Sequence, residues 1–123
     1  MSSVRGIRGA TVAPANTPEA IRCATRELLE ALVAANGIDP GDIASVFFTT
    51  TADLNAEYPA LAARQLGWID TALLCSHEMN VPGGLPLCIR VLVHWNTDRR
   101  PAEIRHIYLG AAARLRPDRQ QEN

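Results

Sequence analysis

Apolar residues follow two different periods along this 123-residue chain. A period of two, or a short apolar run rich in β-branched and aromatic residues, is typical of strands and predicts them at 4–12, 43–51, 71–75, 88–95 and 103–109. On strict alternation along the first strand, Arg8 shares a face with Val4 and Ala10, while Arg5 and Ile7 lie on the other. One arginine of this strand therefore lies on each face of the sheet.

A period near 3.6 predicts two helices. Thr17 as N-cap, Pro18 at the first helical position and Glu19 in the first turn open the longer one, which Gly37 closes. The apolar positions that repeat along it are Ile21, Ala24, Leu28, Leu32 and Ala35. The second helix runs from Pro59 through Leu66 and ends at Gly67.

The order β-α-β-α-β-β-β predicts an α/β (α+β) fold with a mixed five-stranded sheet and helices on one face. The other face of such a sheet is most simply buried against another copy of the chain. Residues 76–86, with two prolines and two adjacent glycines, form an irregular loop. The length suits a single domain over 1–123, in which 114–123 is a polar C-terminal tail.

Composition narrows the possible functions. The net charge is -1, and the arginine clusters lack interleaved aromatic residues, which argues against nucleic acid and anionic membranes as partners. No apolar run approaches the roughly 20 residues of a membrane span, and the first residues do not resemble a secretory signal. The three cysteines are widely separated without a CxxC motif, which predicts reduced thiols in the cytoplasm and no metal site. All twelve basic residues are arginine, whose planar fork suits carboxylates.

A few side chains stand where chemistry is possible, and each has a structural alternative. Arg90 interrupts the apolar strand C-I-R-V-L-V, so it is either functional or an outward-facing arginine on a half-exposed strand. Glu78 lies in a loop after a strand, where sites are often assembled, but a solvated glutamate fits equally. Tyr108 is more often a core residue with a satisfied hydroxyl than a ligand contact.

Cys75 would suggest a nucleophile with His77 or His106 as its base, but nothing in the sequence pairs them, and a free cysteine is commonly a small buried hydrophobe. No catalytic triad, metal motif or cofactor fingerprint is present in the sequence. What remains is several arginines, one glutamate and one tyrosine. That set fits a small anionic substrate whose reaction needs positioning and electrostatics.

Five segments together resemble the AroH family of chorismate mutases. They are V-R-G-I-R-G-A-T (4–11), T-A-D-L-x-A-x-Y-P-A-x-A-x-R (51–64), C-x-x-E-M-x-V-x-G-G-L (75–85), C-I-R-V (88–91) and I-R-H-I-Y-L-x-x-A-x-x-L-R-P-D (104–118). The resemblance runs nearly end to end without a large insertion. It implies a homotrimer of pseudo-barrel appearance with three interfacial sites, and an isomerase that converts chorismate to prephenate for phenylalanine and tyrosine biosynthesis without a cofactor.

The resemblance also implies roles for individual residues. Arg90 faces the departing ether oxygen. Glu78 accepts a hydrogen bond from the ring hydroxyl and shares this contact with Cys75. Arg8, Arg64 and Arg116 hold carboxylates, assisted by Tyr108. Tyr58, Ala60 and Arg64 match positions that the neighbouring subunit contributes. Leu74 is a further substrate-binding position. Leu115 and Arg116 belong to a mobile C-terminal segment that closes over the ligand.

The sequence departs from the family pattern at the site rim. Leu61 stands where some members carry lysine, and Leu74 where some carry a polar residue. Tyr58 stands where phenylalanine also occurs. Two other functions remain open at this point: a YjgF-like deaminase of similar trimeric architecture, against which the C-x-x-E and C-I-R-V pair argues, and a catalytically silent ligand-binding trimer.

Overall fold

Five strands form one mixed sheet in the computed structural model, which describes residues 3–115. The strands are β1 (Ser3–Val12), β2 (Ile43–Thr50), β3 (Ala72–His77), β4 (Cys88–Thr97) and β5 (Ile107–Tyr108), in the spatial order β3-β2-β4-β1-β5. The central pairs of β4 with β1 and β2 are antiparallel. The outer pairs, β1 with β5 and β2 with β3, are parallel. The predicted mixed five-stranded sheet is confirmed.

Both predicted helices are present: α1 (Pro18–Asn36) begins and ends as predicted, and α2 (Ala60–Gln65) is one residue shorter at each end than predicted. The Thr17 hydroxyl accepts a hydrogen bond from the Ala20 backbone N–H at 3.1 Å, and Pro18 occupies the first turn. Gly37 ends α1 in the left-handed conformation at φ 66°, and its N–H donates to the Val33 carbonyl.

Both helices cover the same face of the sheet, as predicted. Alternate residues of the central strands, Ile7, Val46, Phe48, Val91 and Val93, form the main core with residues of α1 and α2. Gly9 allows this close packing, because a Cβ there would lie 3.1 Å from both Leu28 and Val91. The opposite face is largely open in the single chain: Arg8, Phe47 and Leu74 are exposed on it, whereas the part around Ala10 and Cys88 is buried, against Tyr108 and Ala112.

The chain after β4 differs from the prediction. The strand expected at 103–109 contains only Ile107–Tyr108, between the 3₁₀ helices Pro101–Glu103 and Gly110–Leu115. Pro101 and the bond from the Arg100 N–H to the Glu103 side chain at 2.8 Å favour the first of these turns. The predicted polar tail therefore begins as a 3₁₀ helix, and its residues from 116 onward lie outside the described part of the chain.

β3 is longer than the sequence predicts. It continues through Ser76 and His77, because these residues pair with Thr49 and Thr50 of β2. Glu78 then donates its backbone N–H to the Thr50 carbonyl at 2.8 Å, and the irregular loop follows. This extension places Glu78 beside the end of β2.

Candidate active site

A cavity of about 290 Å³ lies on the open face of the sheet, over the central strands. It collects charged and aromatic side chains from all five strands or their ends, with the last 3₁₀ helix at its rim. Its lining residues are Arg8, Gly9, Phe47, Thr49, Glu78, Arg90, Val91, Leu92, Tyr108 and Leu115. Five of the residues expected in the site, Arg8, Glu78, Arg90, Tyr108 and Leu115, are therefore brought together within one chain.

Strand register explains how three of these residues meet. Ala10 pairs with Arg90 on β4 and, on its other side, with Tyr108 on β5. Residues paired across adjacent strands share a sheet face, and Arg8 is two positions from Ala10 on the same face. Ala10 is small and fully buried, so Arg8, Arg90 and Tyr108 lie around a short side chain and all three line the cavity.

Glu78 is the charged partner of Arg90. Its Oε2 lies 3.6 Å from Arg90 Nε, and the two side chains are 29% and 46% exposed. The same Oε2 accepts a hydrogen bond from the Thr49 hydroxyl at 2.8 Å. The cavity therefore contains a cationic arginine beside a carboxylate that a hydrogen bond holds in place.

A histidine supports the strand segment that carries Arg8. The Arg8 backbone N–H donates to His106 Nδ1 at 2.9 Å, one position before β5 pairs with β1. The His106 side chain thus replaces the backbone carbonyl that would otherwise accept this hydrogen bond between β1 and β5. A ring nitrogen accepts only when it carries no hydrogen, so Nδ1 is unprotonated. His106 is buried and lies outside the cavity lining.

The other expected site residues lie elsewhere in the single chain. Cys75 pairs with Phe48, whose side chain is in the core, so the thiol lies on the helix-covered face, opposite Arg90. With Tyr58 it lines a separate cavity of about 330 Å³. Ala60 is buried at the start of α2, Arg64 is exposed later in that helix, and Leu74 is 59% exposed on the open face of β3. Arg116 lies outside the described residues.

The Cys75 thiol is poorly suited to nucleophilic attack. Burial raises its pKa above the ordinary value of 9.0, while the Ala60 backbone hydrogen bond and the charge of Arg64 offset part of this effect. No group of three or more His, Cys, Asp or Glu side chains able to hold a metal occurs within residues 3–115. In the same range no helix is long and apolar enough to cross a membrane.

The family model for chorismate mutase type I matches residues 4–119 of this sequence. The chain belongs to the type I chorismate mutases. This assignment confirms the resemblance carried by the five sequence segments, and it decides against the deaminase alternative.

Individual relatives of this type I chorismate mutase agree with the family match. The chain is 53% identical to chorismate mutase AroH of Thermus thermophilus over 116 residues, which cover 94% of this chain and 95% of that protein. It is 43% identical to chorismate mutase AroH of Bacillus subtilis (strain 168), with 94% and 91% covered. The solved chorismate mutase of Clostridium thermocellum superimposes with a TM-score of 0.89 at 47% identity, over 90% of this chain and 99% of that one.

Sequence reasoning missed three side chains at this mutase's cavity. Thr49 and Phe47 lie on the cavity face of β2, and Leu92 follows Arg90 on β4. The run Thr49 to Thr51 offers no sign of which hydroxyl faces the cavity. Phe48 is buried in the structure, so alternation puts Phe47 and Thr49 together on the opposite face, but the sequence does not show which of the two adjacent phenylalanines is buried.

The thiols of this mutase should differ in reactivity. With iodoacetamide near pH 7, we expect the exposed Cys23 to be alkylated first and Cys75 to react slowly, because a raised pKa leaves less thiolate. Its alkylation rate should rise with pH through the neutral and mildly alkaline range and level off only above 9.0, because the pKa of the Cys75 thiol is raised from that ordinary value. Peptide mass spectrometry over time measures both rates. Modification of Cys75 before Cys23 at neutral pH would contradict this assignment.

Proposed function

We propose that this chain catalyses the rearrangement of chorismate to prephenate, in phenylalanine and tyrosine biosynthesis, with the open-face cavity as its active site. The observation that carries the proposal is the cavity itself, which places Arg8, Arg90, Glu78 and Tyr108 on one sheet face in a member of the chorismate mutase family. Chorismate carries two carboxylates, so a cavity rich in arginine matches its charge.

The reaction is intramolecular and balances without a co-reactant. The ether carbon–oxygen bond breaks as a new carbon–carbon bond forms, and every atom of chorismate is retained in prephenate. Negative charge grows on the departing ether oxygen, and Arg90 is the donor that we assign to it. Arg8 holds a carboxylate with help from Tyr108. The cavity selects the compact conformer in which the two reacting carbons lie close together.

Glu78 has a second role in this proposal. Its carboxylate accepts the hydrogen bond of the ring hydroxyl and complements the electron-poor ring in the transition state. Cys75 shares the contact to the hydroxyl as a neutral thiol, in keeping with the raised pKa of that group. Neither residue acts as a covalent catalyst or a general base.

We propose further that the active unit is a homotrimer with shared sites. The sheet has one uncovered face, and Leu74 on edge strand β3 and Tyr58 before α2 are 59% and 70% exposed. A neighbouring subunit that covers this face buries Leu74, and one that also extends around the β3 edge covers Tyr58, which lines the same cavity as Cys75. It also brings Ala60, Arg64 and Cys75 to the cavity, which a single chain leaves outside. Leu115 at the cavity rim and Arg116 after it close over the ligand.

The cavity of one chain supplies only part of the proposed charge. Arg8 and Arg90 line it, but Glu78 offsets one of these cations, and the substrate is a dianion. Arg64 of the neighbouring subunit and Arg116 restore an excess of positive charge. Leu61, where some relatives carry lysine, contributes none, so we expect substrate binding to depend more strongly on Arg64.

Two broader features complete the proposal. We propose that residues 1–123 form one mutase domain, since the family match covers 4–119 and all five strands belong to one sheet. We also propose that the enzyme works in the cytoplasm. All three cysteines lie in the described part of the chain as free thiols, which suits a reducing compartment.

The purified protein should consume chorismate without forming a covalent intermediate. The decrease in chorismate absorbance measures activity, and intact-protein mass spectrometry during turnover should detect only the unmodified mass. Arg26→Ala is a matched control, because Arg26 pairs with Glu30 on the exposed side of α1, away from the cavity. Chorismate that binds without turning over would indicate the silent ligand-binding alternative, and an adduct at Cys75 would contradict the pericyclic mechanism.

A further inference from the structure

One hydroxyl group in the cavity has no role in the mechanism above. Thr49 Oγ1 donates to Glu78 Oε2 at 2.8 Å, a short hydrogen bond to a charged acceptor. Glu78 Oε2 also lies 3.6 Å from Arg90 Nε, which is ion-pair distance but too long for a hydrogen bond. Within residues 3–115, Oε1 accepts only the longer bond from the Met79 backbone N–H, at 3.3 Å.

We propose that Thr49 is a positioning residue that fixes the Glu78 carboxylate for the mutase reaction and keeps it from closing on Arg90. This inference rests on the proposed function. By holding Oε2, Thr49 leaves the acceptor capacity of Oε1 for the substrate hydroxyl, since a carboxylate has about four lone-pair sites. It also holds the carboxylate at a distance from which Arg90 keeps its donors available for the ether oxygen.

The backbone makes this arrangement rigid. Thr49 pairs with Arg90 across β2 and β4 and with Ser76 across β2 and β3, so its Cα is fixed on both sides. The Glu78 backbone is tied to the Thr50 carbonyl at 2.8 Å. A β-branched side chain in a strand has few χ1 rotamers, so the hydroxyl is preorganised toward the carboxylate at little entropic cost.

Alternative partners for Glu78 show why a restraint is needed. A flexible glutamate beside an arginine tends toward the bidentate geometry, in which both carboxylate oxygens accept from the guanidinium. Such a pair would neutralise Arg90 and occupy Oε1 before the substrate binds. The Thr49 bond competes with that geometry, because it is directed to the oxygen nearest Arg90.

Thr49→Val and Thr49→Ser test this role as a matched pair. Valine keeps the shape of threonine without the hydroxyl, and serine keeps the hydroxyl. We expect Thr49→Val to lower kcat about tenfold while KM changes less than threefold, because a bond to a charged group is lost from the positioning of a transition-state contact. Thr49→Ser should stay within about threefold of wild-type kcat, and both variants should melt near the wild-type temperature.

A double variant separates positioning from a direct contact. If Thr49 acts through Glu78, adding Thr49→Val to Glu78→Ala should cause no further loss, because the two effects share one interaction. Additive losses would overturn the proposal and indicate that Thr49 contacts the substrate itself. Equal kcat for the valine and serine variants would also overturn it, as would a loss of kcat matched by a loss of folding stability.

These outcomes are distinct from a failure of the proposed function. If the wild-type protein leaves chorismate unchanged, the mutase assignment itself is wrong. If the wild type is active and Glu78→Ala is impaired, while Thr49→Val is unimpaired, only the role of Thr49 is wrong.

Discussion

Arg90→Ala should lower kcat by about 10²–10³-fold, the typical effect of removing one fixed donor aimed at developing charge. The loss should fall mainly on kcat, because the interaction with the ether oxygen strengthens as the bond breaks. The folded protein should tolerate the change. The Arg90 side chain is 46% exposed, and its ion pair with Glu78 is a partly solvated contact that contributes little to stability.

Two variants sharpen this expectation. Arg90→Lys keeps the positive charge but loses the planar fork, so we expect a kcat between those of the wild type and Arg90→Ala. Arg26→Ala removes an arginine from the exposed side of α1 and should leave kcat unchanged. Rates come from chorismate absorbance, and stability from thermal unfolding. If Arg90→Ala lost melting temperature in proportion to its rate, Arg90 would be a structural arginine.

Some features of the site and of the fold depend only on residues close together in the sequence, and these could be predicted. The face that Arg8 occupies follows from alternation along a single strand, and the structure bears it out, since Ile7 is buried and Arg8 exposed. The start and end of α1 follow from local capping chemistry. Such features need only neighbouring residues, so the sequence determines them.

Contacts between residues on different strands could not be predicted from the local sequence pattern. Arg90 meets Tyr108 across Ala10 only because β1 pairs with both β4 and β5. The choice between Thr49 and Thr50 for the cavity depends on the register of β2 against β4, which shifts between Ile43 and Ser45. A slip of one residue exchanges the two faces of a strand, so a run of threonines leaves that choice undetermined.

The placement of Cys75 shows a different limit. The family resemblance groups it with Arg90 and Glu78, yet pairing with Phe48 puts it on the helix-covered face of its own chain. The resemblance implies that Tyr58, Ala60 and Arg64 come from the neighbouring subunit's side, but it does not indicate which sheet face Cys75 occupies. The short β5 has another cause: the His106 side chain, not a backbone carbonyl, accepts the Arg8 N–H, which no strand pattern predicts.

Two inactive variants should restore activity to each other if the sites are shared between subunits. Arg90→Ala damages the cavity side of a site, and Arg64→Glu damages the side that we assign to the neighbouring subunit and repels a dianion there. In a trimer that contains both variants, one interface joins an intact Arg90 to an intact Arg64. Random assembly from an equal mixture should therefore recover about a quarter of the wild-type activity.

The experiment mixes the unfolded variants, refolds them together and measures chorismate consumption, with the mass in solution checked by light scattering. Each variant refolded alone should stay nearly inactive. Arg8→Ala mixed with Arg90→Ala is the matched control, because both residues line the cavity of the same chain and no interface can combine intact copies of both in one site. Recovery in that control, or none in the test mixture, would contradict sharing. A monomeric mass with full wild-type activity would show that one chain completes the site, so Cys75 and Arg64 would then lie outside it.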